Sequence, residues 1–268
     1  MTSPFQFHDQ TIFVAGGTSG INFGIAENFA ANGGNVVVMS RSQDKVDAAV
    51  EKLSSHGFKS MGFAADVRDY DAVENAFAET VKAFGEIDVL VSGAAGNFPA
   101  FAADMSPNAF KSVVDIDLLG SYHVLRAAYP HLKKPGASVI NISAPQAFVP
   151  MQLQSHVCAA KAGVDMLTKT LAMEWGAEKI RVNSIVPGPI KETEGMARLA
   201  PTPKMIEAAK QSVPLQELGS TDDIANAAMF LSSPVASYIS GVILPVDGGW
   251  SLNGAGVMMD SLVKMMTK

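Results

Sequence analysis

The sequence predicts an α/β protein built on one doubly wound parallel sheet with helices on both faces. Three observations predict it. Short apolar runs of strand length recur along nearly the whole chain, amphipathic stretches of helical length separate them, and the first run passes directly into a glycine-rich turn that opens a helix. Strands covered on both faces read as near-continuous apolar runs, and such strands alternating with helices stack into a parallel sheet with right-handed crossovers.

In chain order, TIFVAG (11–16) is the first strand, and a helical pattern over Ile21–Asn32 follows it. VVVMS (36–40) is the second strand, with a helix over Asp44–Leu53. SMGFAADV (60–67) is the third, followed by a helix-like stretch at 69–84. IDVLVSG (87–93), ASVINIS (137–143), IRVNSIVPG (180–188) and VILPVDGG (242–249) complete the strands, and helical patterns at about 107–133 and 153–177 fill the gaps. Residues 189–220 break the rhythm with Pro189, Pro201, Pro203 and Pro214. A segment of that kind over the carboxyl edge of a sheet is a candidate substrate lid. No repeat, low-complexity segment or long Pro/Gly/Ser linker divides the chain, so residues 1–268 read as one Rossmann-type domain.

Hydrophobic residues make up 48% of the chain and charged residues 17%, enough apolar material for a sizeable core. The formal net charge of −6 argues against a nucleic-acid partner, which needs a basic face. Cys158 is the sole cysteine, so no intrachain disulfide forms and a reducing compartment is expected. No apolar stretch approaches a membrane span. The start, MTSPFQFHDQ, does not read as a secretory signal, and the final MTK is not the SKL peroxisomal address. These features predict a cytoplasmic protein without a membrane partner. No His/Cys/Asp group has metal-ligand spacing, so no metal is expected.

The turn AGGTSGINFG carries the first chemistry. A glycine-rich turn between a first strand and a helix cradles phosphate, because the helix N-terminus offers unpaired N–H groups and the positive end of its dipole. The spacing here is Gly16-x-x-x-Gly20-x-Asn22, with Thr18, Ser19 and Ile21 between and after the glycines. After the second strand comes Ser40-Arg41. A basic residue there accommodates the 2′-phosphate of NADP where an acid would bind the free 2′-hydroxyl of NAD. NADPH is therefore the expected cofactor.

This turn resembles that of the short-chain dehydrogenase/reductase family, usually T-G-x-x-x-G-x-G. Ala15 stands in place of the threonine and Asn22 in place of the third glycine, where its side chain could crowd or hydrogen-bond the pyrophosphate. The resemblance runs from Thr11 to about Trp250. It implies that Asp66 and Val67 flank the adenine, and that Ala94 in AAGNF (94–98) and Pro187, Gly188 and Ile190 of PGPI contact the cofactor. Lys161 matches the family's catalytic lysine. The other usual catalytic positions are changed: Asp117 for asparagine, Ala144 for serine and Val157 for tyrosine. Losing the hydroxyl acids should cripple ketone chemistry, since general acid catalysis contributes typically ~100- to 10,000-fold. Tyr122, Tyr129 and Tyr238 lie elsewhere in the chain.

One branch of the family shares these changes. AAGNF, DID (115–117), His156 five residues before Lys161, and PGPI…TEG (187–195) resemble the peroxisomal-type 2,4-dienoyl-CoA reductases. That resemblance implies reduction of a conjugated enoyl thioester in fatty acid metabolism, an acyl-CoA-type substrate, a homotetramer, and an acid–base pair of Asp117 and Asp247 in which Asp117 orients a water and Lys161 holds the nicotinamide ribose. A trans-2-enoyl-CoA reductase, another short-chain dehydrogenase, or a non-catalytic NADP(H)-binding protein are the alternatives. His156 reads first as a hydrogen-bonded structural residue and Cys158 as a small core residue. Thr193 is a possible cofactor contact. Met258, Met259, Met265 and Met266 form a methionine-rich end suited to a subunit contact or an acyl tunnel.

Overall fold

The apolar runs lie side by side. In the computed structural model, which describes residues 5–255, the strands are β1 (Thr11–Ala15), β2 (Asn35–Ser40), β3 (Ser60–Ala64), β4 (Val89–Ser92), β5 (Ser138–Ile142), β6 (Arg181–Pro187) and β7 (Ile243–Val246). They form a seven-stranded sheet in the order β3-β2-β1-β4-β5-β6-β7, with every pairing parallel. Alternate side chains serve opposite faces, as the two-residue strand period requires. Ile12 and Val14 of β1 pack with α1 (Gly20–Ala31), α2 (Gln43–Ser54) and α9 (Thr221–Ser232). Phe13 and Ala15 pack with α3 (Tyr70–Phe84), α5 (Gly120–Ala128) and α6 (Ser155–Trp175). The near-continuous apolar character of β1 and β2 follows from this double coverage.

The order of the strands creates the site. From β1 the chain moves outward to β2 and β3, then returns to place β4 on the other side of β1. A crevice opens at that reversal, outside the carboxyl ends of β1 and β4. Gly16 leaves β1 with φ 77°, and a Cβ there would sit 2.9 Å from the Ala94 backbone. Close approach of the two loops thus requires glycine.

Two regions differ from the sequence expectation. The helix expected at 107–133 is α4 (Pro107–Val114) running into a π-helical turn, Asp115–Leu119, and then α5. The extra residue of a π turn leaves no mark in hydrophobic periodicity. The expectation also omitted α9. Its signal was present: Ser220 and Asp223 form a reciprocal capping box. Over 189–220 the proline-rich segment folds as two short helices, α7 (Glu194–Leu199) and α8 (Pro203–Ser212), capped by the Thr193 and Thr202 side chains. Among the described residues, no helix is long and apolar enough to cross a membrane. The methionine-rich end, Met258 to Met266, and the final MTK lie outside the described residues.

Helix α9 packs directly on α1, and Gly24 makes that possible: a Cβ on Gly24 would lie 2.5 Å from Thr221 Cβ. Gly24→Ala is expected to destabilise the protein by about 1–3 kcal/mol through overpacking, read as a lowered urea midpoint with an unchanged slope. An unchanged midpoint would show that the two helices do not approach this closely.

Candidate active site

The turn after β1 is built to leave donors free. Gly16 and Gly20 both adopt positive φ, 77° and 55°, which suits glycine. No side chain caps α1 and its first turn carries no acid, so the N-terminal N–H groups and the positive dipole end face the turn. A groove of about 460 Å³ runs past it, lined by Gly16, Thr18, Ser19, Arg41, Lys45, Asp66, Val67 and Ala94 among others. Most of the predicted cofactor residues are thus in one groove. Lys45 was missed; it stands one helical turn after Arg41 on α2, a spacing the sequence displayed. Asp66 is already engaged: Arg68 Nη2 donates to it at 2.6 Å, and that hydrogen bond holds its carboxyl below the usual range.

Asn22 does not crowd the turn. Its Nδ2 donates to Gly93 O at 2.7 Å, so the side chain reaches across the crevice and ties α1 to the end of β4. A Cβ on Gly93 would fall 2.3 Å from Asn22 Oδ1, so the two residues depend on each other. Asn22 lines both the groove and a second, mostly apolar cavity of about 610 Å³ beside it.

That second cavity holds Asp117, Ala144, Val157 and Lys161, together with Ile21, Pro187, Gly188 and Ile190. The π turn re-aims the helix so that Asp117 points inward, 1% exposed. Its Oδ1 accepts from Gly96 N–H at 2.6 Å and its Oδ2 lies 3.7 Å from Lys161 Nζ. Lys161 Nζ also donates to Ile142 O at 2.9 Å. Burial pushes the Asp117 carboxyl up, against the pull of Lys161 and the Gly96 N–H. Val157 sits one helical turn before Lys161 on α6 and faces the same cavity. Among the described residues no tyrosine lines it. Tyr122 is surface-exposed and Tyr238 fully so, while the Tyr129 hydroxyl donates to Glu178 at 2.7 Å.

Asp247 lines a different cavity from Asp117. Its Oδ1 accepts from Gly249 N–H at 2.9 Å and its Oδ2 from Ser251 N–H at 2.8 Å. It lines a neighbouring cavity beyond Gly188. The turn it braces instead carries Trp250 to the apolar cavity, where Trp250 Nε1 donates to Ser212 Oγ of α8 at 3.0 Å. Thr193 caps α7 and donates to Ile190 O at 2.9 Å. His156 also differs from expectation. It is wholly buried, and neither ring nitrogen is in a well-formed hydrogen bond, the Phe98 carbonyl being the polar group that pulls on the ring.

Comparison with known proteins agrees with this architecture. The family model described as enoyl-(acyl carrier protein) reductase matches residues 15–251. A peroxisomal 2,4-dienoyl-CoA reductase of Saccharomyces cerevisiae, named as (3E)-enoyl-CoA-producing, is 43% identical over 98% of this chain and 93% of its own length. The crystal structure of a short chain dehydrogenase from Bacillus anthracis superposes with a TM-score of 0.81 at 35% identity, covering 90% of this chain and 96% of that one. Carveol dehydrogenase from Mycobacterium avium, solved in complex with NAD, gives 0.85 at 25% identity, covering 91% and 98%. The chain belongs to the short-chain dehydrogenase/reductase family and is an oxidoreductase.

The raised Asp117 carboxyl has a stability consequence with a definite sign. The folded state binds its proton more tightly than the unfolded chain does, so this contribution favours folding at low pH and is lost as pH rises from about 3.9 through the raised value. Asp117→Asn removes that titration. Thermal melts across pH are expected to show the variant gaining on the parent as pH rises through this window; a constant difference would remove the buried carboxyl from the account.

Proposed function

We propose that this member of the family reduces a 2,4-dienoyl-CoA to the 3-enoyl-CoA, with NADPH as the hydride source. One observation carries the reading. The cavity beside the cofactor groove has no hydroxyl acid at 144 or 157, and in their place it encloses the Asp117–Lys161 pair. A ketone reduced to an alcohol must receive a proton on oxygen, and nothing at those positions gives one. A conjugated thioester takes hydride on carbon and then a proton on carbon, which a water held by a carboxyl group can supply. The similarity to the yeast reductase supports the same substrate class.

The residues present fit a dinucleotide. The Gly16–Gly20 turn and the uncapped start of α1 suit a pyrophosphate. Arg41 and Lys45 at the end of the groove suit a 2′-phosphate, which supports NADPH. Bound there, the cofactor supplies the hydride. Lys161 keeps the cavity positive where enolate charge develops, and stands ready for the nicotinamide ribose. Asp117, with its carboxyl raised, holds and orients the proton-donating water. The Asp247 turn positions Trp250 and α8 against the acyl group.

The acyl chain has a matching wall. α8 buries no residue within the protein, yet Met205, Ala208, Ala209 and Ser212, the face repeating at i, i+3, i+4 and i+7, line the cavity. With Met151, Met196 and Trp250 they give an apolar surface for a hydrocarbon chain.

Consumption of NADPH with a 2,4-dienoyl-CoA, a 2-enoyl-CoA and a 3-ketoacyl-CoA in parallel tests the proposal. Turnover is expected with the dienoyl thioester, and turnover confined to the ketoacyl thioester would overturn it. Asp117→Ala is expected to lower kcat by roughly 100-fold or more with NADPH affinity nearly unchanged; equal loss of both assigns Asp117 to structure. Replacing Arg41 and Lys45 together by alanine should raise KM for NADPH while leaving KM for NADH alone. Equal effects on both cofactors would remove these residues from 2′-phosphate recognition.

A further inference from the structure

Among the described residues, five of the eleven buried side-chain polar atoms that lack a hydrogen-bond partner lie close to one another. Each costs about 1–3 kcal/mol when left unpaired, so folded proteins keep them few and each has a reason. Here Asn97 Oδ1, Asp117 Oδ2, Gln154 Nε2 and both ring nitrogens of His156 are enclosed and lack a hydrogen-bond partner. They belong to two adjoining pieces of chain. Asn97 and Asp117 line the reaction cavity. Gln154 precedes α6 and His156 lies in its first turn, on the helix that carries Lys161. The pieces meet at Phe98, whose ring centroid is 4.5 Å from that of His156. Phe98 is two residues from Gly96, whose N–H holds Asp117 Oδ1. The Asp117 charge acts on the His156 ring in turn.

The unpaired atoms are complementary. A neutral imidazole offers one donor and one acceptor, and a carboxylate oxygen accepts. A purely structural histidine satisfies its nitrogens within the protein. This one has only the Phe98 carbonyl beside it, out of good hydrogen-bond geometry, and buried water settles where two to four such polar atoms converge.

We propose that His156 is the positioning residue of the proton donor: one ordered water bridges its ring to Asp117 Oδ2, and the ring orients that water. The reaction part rests on the dienoyl-CoA reading above, whereas the ring–carboxyl contact does not. The balance is simple. Hydride addition at carbon leaves a dienolate. The dienolate takes one proton at carbon from the water, so a C–H bond forms and an O–H bond breaks. The resulting hydroxide takes a proton from solvent that reaches the open cavity. The ring keeps its tautomer throughout, nothing on it is oxidised, and one solvent proton is consumed per turnover. Burial keeps the ring neutral, outweighing the pull of the Phe98 carbonyl and of Asp117, and the neutral form is the one able to accept and donate together. Lys161 is already committed to Ile142 O and to Asp117.

Two arms test this on the full-length protein. In ¹⁵N-histidine NMR with NADP⁺ present, the signals lost in His156→Gln identify the ring. They are expected to be those of a neutral imidazole and to shift in Asp117→Asn; signals that stay put overturn the contact. In the kinetic arm, His156→Gln is expected to lower kcat by roughly 100-fold while NADPH affinity holds. The solvent deuterium isotope effect on kcat should rise and the effect of deuterated NADPH should shrink, as proton delivery becomes limiting. His156→Leu should be slower still. Equal loss in both variants, with lowered melting temperatures and unmoved isotope effects, would make His156 a packing residue and overturn the proposal. If the parent protein turns over no dienoyl thioester, the proposed function fails, and the NMR arm still decides the contact between His156 and Asp117.

Discussion

The pairing of Asp117 with Lys161 inside the fold is the constraint around which the rest of the site is arranged. Two charged groups taken out of water lose hydration worth several kcal/mol each, and mutual attraction repays this only when the remaining lone pairs and protons are also satisfied. The protein meets the condition in part, and with backbone, leaving Asp117 Oδ2 without a hydrogen bond. Gly96 N–H takes one carboxyl oxygen and Ile142 O takes one ammonium proton. Both lie at the carboxyl edge of the sheet, Gly96 in the loop after β4 and Ile142 at the end of β5. Asp117 sits within the π turn between α4 and α5, pointing inward.

The same arrangement explains why the absent hydroxyls do not leave an idle pocket. Ala144 and Val157 occupy the places of two polar groups and make the wall apolar. An apolar wall raises the cost of any charge nearby and strengthens the field of the one ammonium group that remains. Such a pocket suits a reaction in which negative charge is spread over a conjugated system rather than concentrated on one oxygen.

Much of this was legible in the sequence, and the division has physical reasons. Each strand declared itself because burial on both faces leaves an uninterrupted apolar run, as in TIFVA and NVVVM. Gly16, Arg41, Asp117 and Lys161 were legible because their chemistry is tied to a place in the chain. The meeting of Asp117 and Lys161 could be inferred only from the likeness to a known family. What escaped depends on three-dimensional approach. Asp247 looked like a partner for Asp117, but its carboxyl closes on the N–H groups of its own turn. Asn22 looked like an obstruction, but Gly93 gives its side chain room and a carbonyl. The unpaired His156 ring has no sequence signature at all, since isolation is a property of surroundings. Helix α9 escaped for a different cause: its capping box was readable and was passed over among the prolines before it.

Helix α8 closes over the cavity with no side chain of its own inside the protein. Amphipathic helices of this length draw their stability from tertiary packing rather than propensity, and α8 is held mainly by its Thr202 cap and the Trp250–Ser212 hydrogen bond. On the proposed reading, each methylene that reaches α8 contributes up to about 0.8 kcal/mol, less whatever is consumed in ordering the contact. Selectivity among acyl lengths then follows from how much of this helix face a guest covers.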